Sequence, residues 1–297
     1  MMAQVGPGFV YILTVLGAGD LVSNSAAGAG YGYALIWTVA VGMILRFVWV
    51  NVSAKYVLVT GETLIQGYAR VGQWVVWLIL ISMIILVHFY NMYMILMSGN
   101  AIHVLFPLPT EWSSSIWSLF FALVAFVMAY WGGYQAIEFF CKILVGMMGG
   151  ALILVAFLSH PDPAQIARGL FIPTIPGSQG LYEARFMLMA LIGTMTGSII
   201  NLTYAYFIYE KGWRDISYLK TQRFDLIFGV SCMFVMGVLL QIAAAATVHP
   251  LGLELKDASD MVRIFSEVQG VIGMIVFSLG LWGAAFSTLI GTTVGCS

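Results

Sequence analysis

Long runs of apolar residues, separated by short stretches that contain proline, glycine or charged residues, follow one another along the whole chain. They reach the roughly 18 or more residues of a membrane-spanning helix, whereas a spanning strand shows about ten alternating residues. The pattern therefore predicts helices. Its breaks predict eight spans in one transmembrane domain, residues 1–297: 8–29, 34–58, 73–103, 115–132, 135–158, 182–208, 224–247 and 268–296.

Composition indicates the same class of protein. The chain is 61% hydrophobic and only 8% charged, whereas a soluble domain has about 25% charged residues. We therefore expect an all-α integral membrane protein in contact with the lipid bilayer. No basic run suggests nucleic acid. No nucleophile–base arrangement or cofactor motif suggests an enzyme or a bound cofactor.

Basic residues predict the orientation. The connection between spans six and seven carries Lys211, Arg214, Lys220 and Arg223, and positive charge concentrates in cytoplasmic loops. This places the amino terminus of a multi-pass inner or plasma membrane protein in the cytoplasm. The amino terminus lacks the basic region and cleavage site of a signal peptide, so we expect the first span to be retained.

The first span is interrupted by Gly17-Ala18-Gly19-Asp20. Asp20 is the only acid that the predicted spans place deep in the membrane, where an unpaired carboxylate is costly and usually functional. Glycines allow the helix to unwind, which frees backbone carbonyl groups. The combination predicts a cation site.

Span six has a similar interruption, Gly193-Thr194-Met195-Thr196-Gly197-Ser198. One interrupted helix in each half of a chain is the sequence pattern of an inverted-repeat transporter with its site at the bilayer midplane. We therefore expect Gly17–Asp20 and Gly193–Ser198 to face each other.

Several motifs resemble the natural resistance-associated macrophage protein (Nramp) family of divalent metal transporters, in the family's order and over essentially the whole chain. They are Gly6-Pro7-Gly8-Phe9, residues 27–33 followed by Leu35-Ile36-Trp37, Ser53-Ala54-Lys55 with Val59-Thr60-Gly61, Gly133-Tyr134 with Glu138, residues 169–173, Phe224-Asp225-Leu226-Ile227 and residues 287–292.

The resemblance implies a LeuT-type helix bundle, in which two inverted five-span repeats pack around the broken first and sixth helices. Family members continue for three or more spans beyond the point where this sequence stops. We therefore expect the second repeat to be incomplete and the sequence to be a fragment of a longer protein.

The proposed site departs from the family pattern. The family binds transition metals with an Asp-Pro-Gly-Asn turn in span one and a Met-Pro-His turn in span six. Here Gly17 occupies the aspartate position, Asp20 the asparagine position and Gly197 the methionine position. The carboxylate has moved along the helix, and the soft thioether ligand is absent.

Loss of the thioether favours a hard ion such as magnesium or manganese, because carboxylate, hydroxyl and carbonyl oxygens suit these ions. The pattern is similar to that of the Nramp-related magnesium transporters. The predicted metal ligands are Asp20, Gly17, Thr194, Gly197, Thr196 and Ser23. Asn24 and Ser198 also lie close. Ser23 and Asn24 are each equally well explained as interhelical hydrogen-bonding residues.

Proton coupling is not expected. The family positions associated with proton movement hold Asn91, Met94, Ile199 and Tyr204. His88, three residues before Asn91, is a candidate substitute, although a membrane histidine more often only hydrogen-bonds a neighbour. Arg46 lies in the middle of span two, where we expect it to form a structural ion pair or a carbonyl contact.

Alternating-access transport of a divalent cation is the leading hypothesis. The alternatives are an organic amine carrier of the same fold, because fold alone does not decide function, and a non-transporting membrane sensor or scaffold. Loss of the family's aspartate and methionine from their usual positions supports the latter.

Overall fold

The computed structural model describes residues 7–8, 11–12, 18–131, 139, 143, 146, 149–150, 152–154, 156–177, 182–197, 199–253, 255 and 258–295. Within these ranges the chain is helical, with short connections and no strands. The helices are α1 (Ala18–Tyr31), α2 (Ile36–Thr60), α3 (Leu64–Val71), α4 (Gln73–Leu105), α5 (Ser113–Trp131), α6 (Pro163–Phe171), α7 (Ala184–Thr196), α8 (Thr203–Glu210), α9 (Leu219–Thr247) and α10 (Ala258–Gly295).

Five helical segments of the described chain are long and apolar enough to cross a membrane: Ile36–Thr60, Gln73–Leu105, Ala184–Glu210, Ile216–Leu251 and Gly270–Thr293. They coincide with predicted spans two, three, six, seven and eight. The shorter apolar helix Ser113–Met128 lies at predicted span four. The first and fifth predicted spans are described only in part, and their described residues are helical. The total of eight spans stays a prediction.

Local sequence explains several helix ends. Helix α2 ends at Gly61, whose backbone N–H donates to Val57 O at 2.8 Å. Thr63 and Gln66 then form a reciprocal capping box that starts α3. Asp162 caps α6 by accepting a hydrogen bond from Ala164 N–H at 2.9 Å, and this cap holds the pKa of its carboxyl below the ordinary value.

Small residues allow close packing around the interrupted helices. A Cβ atom on Gly42 of α2 would lie only 2.3 Å from Cβ of Met195 in α7, so a larger residue could not fit without movement. Such close backbone approach is how helices associate in a membrane, where lipid gives no hydrophobic drive between them. Met195 itself is fully buried. Helix α7 is therefore held tightly against α2.

In the described chain, glycine gives irregular backbone at the junction in predicted span six and near the start of predicted span eight. Gly197 ends α7, and a 3-10 segment, Ile199–Leu202, leads into α8. Gly270 has φ 64° and ψ −153° and marks a kink within α10. Predicted span six is thus two helices, α7 and α8, with an irregular junction, whereas α2, α4 and α9 are continuous.

Candidate functional site

The junction between α7 and α8 depends on glycine. Gly197 has φ 90° and ψ 170°, a backbone conformation that L side chains rarely adopt. A Cβ atom at this position would also lie 2.3 Å from Nδ2 of Asn201. The predicted interruption is confirmed, but its extent is corrected. Residues from Gly193 to Thr196 stay helical, and Ser198 lies outside the described residues.

The carbonyl groups at the end of α7 are partly taken up by protein donors. Gly193 O accepts from Gly197 N–H at 3.2 Å, and Thr196 O accepts from the Asn201 side chain at 2.9 Å. Thr194 O accepts from the Arg46 guanidinium at 2.7 Å. The last turn of a helix has carbonyls without intrahelical partners and carries partial negative charge. This end of α7 therefore favours positive charge.

A cavity of about 300 Å³ opens beside this junction. Its lining comes from α1, α2, α4 and the two halves of predicted span six, so residues far apart in the sequence meet there. The lining residues are Gly19, Asp20, Arg46, Leu86, Tyr90, Gly193, Thr194, Gly197 and Ile200.

Asp20, the first predicted ligand, lines this cavity and is 5% exposed. Ala18, Gly19 and Asp20 are helical, so the predicted unwinding of the first span does not occur at these three residues. Gly17, which was predicted to contribute to the site, lies outside the described residues. The Asp20 backbone carbonyl accepts from the Asn24 side chain at 2.7 Å.

Thr194 and Gly197 line the same cavity, and the Ser23 hydroxyl lies 3.4 Å from the Thr194 hydroxyl. Ser23 thus joins α1 to α7 directly. The two predicted interruptions therefore face each other, as far as the structure describes them. Thr196 is not among the lining residues, and its buried hydroxyl has no hydrogen-bond partner within the described chain.

Asn24 makes an interhelical hydrogen-bonding network. Its carbonyl oxygen accepts from the Gln241 amide at 3.0 Å, and its own amide lies 3.8 Å from the Met195 sulfur. The side chain thereby connects α1 to α9 and α7, as expected for an asparagine in helix packing.

Arg46 is fully buried and lines the cavity together with Asp20. Nη2 of Arg46 donates to Thr194 O at 2.7 Å, and Nη1 lies 3.2 Å from the sulfur of Met233 in α9. Of the two roles expected for Arg46, the structure thus shows the carbonyl contact.

The structure describes Asn91, at a position that the resemblance associates with proton movement, and His88, its candidate substitute. The Asn91 amide oxygen accepts from the Thr292 hydroxyl at 2.5 Å. His88 is exposed on α4 and packs edge-on against Phe89. It does not line the cavity, whereas Leu86 and Tyr90, on either side of it in the sequence, do.

Sequence reasoning did not single out a second buried acid, Asp225. Helix α9 begins at Leu219, and Asp225, in its second turn, is fully buried within the protein. Its carboxylate accepts from the Tyr204 hydroxyl at 3.0 Å. The signal that could have indicated this burial is the polar stretch before Phe224. It belongs to α9, which begins at Leu219 and therefore extends in front of the apolar run. That Asp20 is the only acid deep in the membrane stays a prediction. Within the described chain, no three His, Cys, Asp or Glu side chains form a metal-binding group.

Comparison with known proteins decides the family. The family model described as natural resistance-associated macrophage protein-like matches residues 8–296, which is nearly the whole chain. The chain belongs to the Nramp family. The predicted resemblance is thus confirmed.

Curated Nramp relatives include proteins described as divalent metal cation transporter MntH. The protein from Chromohalobacter salexigens is 27% identical over 301 residues, with 99% of this chain and 69% of the relative covered. The protein from Bacillus subtilis is 24% identical, with 99% and 70% covered.

Among solved structures, a manganese transporter from Eremococcus coleocola matches with a TM-score of 0.76 and 17% identity. The match covers 99% of this chain and 64% of that chain. A complex of the same transporter with an aromatic bis-isothiourea compound matches with a TM-score of 0.75 and 16% identity, covering 99% and 65%. The all-α, LeuT-type fold predicted from sequence is confirmed, and the chain spans less than two thirds of these solved Nramp structures.

Proposed function

We propose that this chain forms the core of a transporter that carries a hard divalent cation, magnesium or manganese, by alternating access through the cavity at Asp20. Family membership supports transport of a metal ion, because the similar curated proteins are divalent metal cation transporters and the similar solved structure is a manganese transporter. The choice of a hard ion rests on the chemistry of the cavity itself.

The observation that carries this proposal is the composition of the cavity lining. The nine described residues of the lining contribute one carboxylate, from Asp20, and hydroxyl groups from Thr194 and Tyr90, and none of these nine carries a thioether, thiol or imidazole. Oxygen donors of this kind suit magnesium, calcium and manganese rather than softer ions. The cavity is therefore better matched to a hard ion.

The size of the cavity supports a partly hydrated ion. Its volume of about 300 Å³ is well above the roughly 30 Å³ that one water molecule occupies in the liquid. Magnesium gives up its water reluctantly and usually keeps several waters when protein ligands are few. One carboxylate and a few neutral oxygens can then complete the coordination.

We assign the ligand roles as follows. Asp20 supplies the negative charge that offsets desolvation of the ion. The hydroxyl and the backbone carbonyl of Thr194 and the backbone at Gly197 supply neutral oxygens. The Ser23 hydroxyl, which lies beside the Thr194 hydroxyl, is a further neutral oxygen of the proposed ligand set. Thr196 and Gly17 remain part of the proposed ligand set through their backbone carbonyls.

We further propose that transport is not coupled to protons and that the amino terminus lies in the cytoplasm. Asn91 and Met94 cannot exchange a proton near neutral pH, and His88 lies outside the cavity lining.

The basic connection after α8, which includes Lys211 and Arg214, supports the cytoplasmic position of the amino terminus.

Uptake of Mn²⁺ and Mg²⁺ into proteoliposomes tests this function. Asp20→Asn should reduce uptake of both ions to the level of empty vesicles, because a divalent ion in a low-dielectric site needs a full negative charge. Asp162→Asn is the matched control, since asparagine also caps a helix and Asp162 lies far from the cavity in sequence and at the surface. It should transport like the unmodified protein.

Other outcomes would favour the alternatives. Uptake of methylammonium that Mn²⁺ does not inhibit would support the amine carrier. Folded protein that moves neither ion nor amine would support the sensor or scaffold. Mn²⁺ uptake by Asp20→Asn equal to that of the unmodified protein would contradict the ligand role of Asp20.

A further inference from the structure

Arg46 places a permanent positive charge in the proposed cation cavity. Its side chain is fully buried in the middle of α2 and lines the cavity with Asp20. Arginine stays protonated at any physiological pH, so this charge cannot be removed by titration. Among the described lining residues, Arg46 thus adds a fixed positive charge beside the acid that would bind a metal.

The position of that charge is specific. Nη2 of Arg46 donates to Thr194 O at 2.7 Å, and Thr194 lies in the last turn of α7, two residues before its end at Thr196. The carboxyl-terminal end of a half-helix is where a broken-helix transporter attracts a cation, through its partial negative charge and its carbonyl oxygens. The Arg46 guanidinium already donates a hydrogen bond to one of those carbonyl oxygens, Thr194 O.

We infer that Arg46 is a tethered competitor of the transported ion. It neutralises the end of α7 in the empty protein, and a divalent ion must displace its guanidinium from Thr194 O to use that oxygen. Arg46 therefore lowers the affinity of the cavity for divalent cations. An ion that uses Thr194 O must bind it more favourably than the Arg46 guanidinium does. This inference rests on the proposed function.

Within the described chain, the Arg46 guanidinium makes few strong hydrogen bonds, so a bound ion can displace it. The acceptor that Nη1 reaches there is the Met233 sulfur, at 3.2 Å, and a thioether is a weak acceptor. The buried Nε finds no acceptor among the described residues. The guanidinium is thus anchored chiefly by Thr194 O. The adjoining cavity of about 300 Å³ leaves space for the side chain to move.

Arg46→Gln tests the inference because glutamine loses the charge but keeps an amide donor for Thr194 O. Calorimetric titration of the purified chain with Mn²⁺ should show an affinity at least about tenfold tighter than that of the unmodified protein, within the range of usual site–site coupling. Arg46→Lys keeps the charge and should stay within about threefold of the unmodified protein.

Met43→Leu is the control for a general disturbance of α2. Met43 is buried on the same helix but does not line the cavity, and the exchange nearly conserves volume. Its Mn²⁺ affinity should not change. Equal or weaker binding in folded Arg46→Gln would overturn the competitor role, and so would equal tightening in Arg46→Lys.

A measurement on the unmodified chain covers the case in which Arg46→Gln does not fold. Arginine labelled with ¹⁵N gives a guanidinium resonance for Arg46, assigned by its loss in Arg46→Lys. Saturating Mg²⁺, which is diamagnetic, should shift this resonance and speed its hydrogen exchange. A resonance that Mg²⁺ saturation leaves unchanged would overturn the inference.

The two hypotheses fail differently. If the unmodified chain binds Mn²⁺ and Arg46→Gln binds it no more tightly, only the competitor role fails. If neither the unmodified chain nor any Arg46 variant binds Mn²⁺ or Mg²⁺, the proposed function fails and this inference fails with it.

Discussion

The hydroxyl group of Tyr204 donates a hydrogen bond of 3.0 Å to the carboxylate of Asp225. Both side chains are fully buried, and they join α8, the second half of the interrupted helix, to the beginning of α9. The ring of Tyr204 also packs edge-on against Tyr11 of the first span, with ring centroids 5.1 Å apart. Tyr204 therefore connects three elements: the first span, α8 and α9.

Removing this hydrogen bond should destabilise the protein. Tyr204→Phe deletes only the hydroxyl, and a hydrogen bond to a charged group contributes about 1.5–3 kcal/mol. We expect a loss of that size in the free energy of unfolding, measured by denaturant titration in detergent. Tyr218→Phe is the control, because Tyr218 is 39% exposed and its stacking on Trp213 needs only the ring. Equal stability of the two variants would show that Asp225 does not depend on Tyr204.

Replacing Gly197 or Gly193 with alanine should change the free energy of unfolding in opposite directions. Gly197→Ala forces a side chain into φ 90° and against Asn201, which should cost about 1–3 kcal/mol in unfolding free energy. Gly193 is helical and an added Cβ would meet nothing within 4 Å, so Gly193→Ala should stabilise by about 0.5–1 kcal/mol. Thermal unfolding of both variants measures the difference.

The backbone at Gly197 also argues against restoring the family methionine there. Gly197→Met would strain the backbone and displace Asn201 before the sulfur could reach an ion. If Gly197→Ala were as stable as Gly193→Ala, the interruption of the helix would not depend on glycine.

Metal uptake should not acidify the vesicle lumen. A pH-sensitive dye trapped in proteoliposomes should report no inward proton flux during Mn²⁺ uptake, because no histidine is among the described residues that line the cavity and Asn91 is bonded to Thr292. His88→Ala should leave both metal uptake and luminal pH unchanged. Metal-driven acidification that disappears in His88→Ala would reveal a histidine relay, and acidification that disappears in Asp225→Asn would assign that role to Asp225.

Local sequence was sufficient for the class of the protein and for three residues that line the cavity, Asp20, Thr194 and Gly197. The length of the apolar runs determined the helices, because each run must satisfy its own backbone hydrogen bonds in the membrane. The glycine cluster at 193–198 predicted an interruption, and Gly197 provides it, since a positive φ is a property of one residue. Asp20 was identified from its charge in an apolar run, and the structure places it in the cavity with Thr194.

Only tertiary structure decided which side chains meet. Arg46, Tyr90 and Thr194 lie on three helices and share a cavity because of how those helices rotate and pack, which no single segment specifies. Asp225 lies near the start of predicted span seven, and it is buried where Tyr204 of α8 hydrogen-bonds to it and Gly8 of the first span packs close to it. Sequence thus determined the local elements and the isolated charges, whereas packing between distant segments decided which charges face the same space.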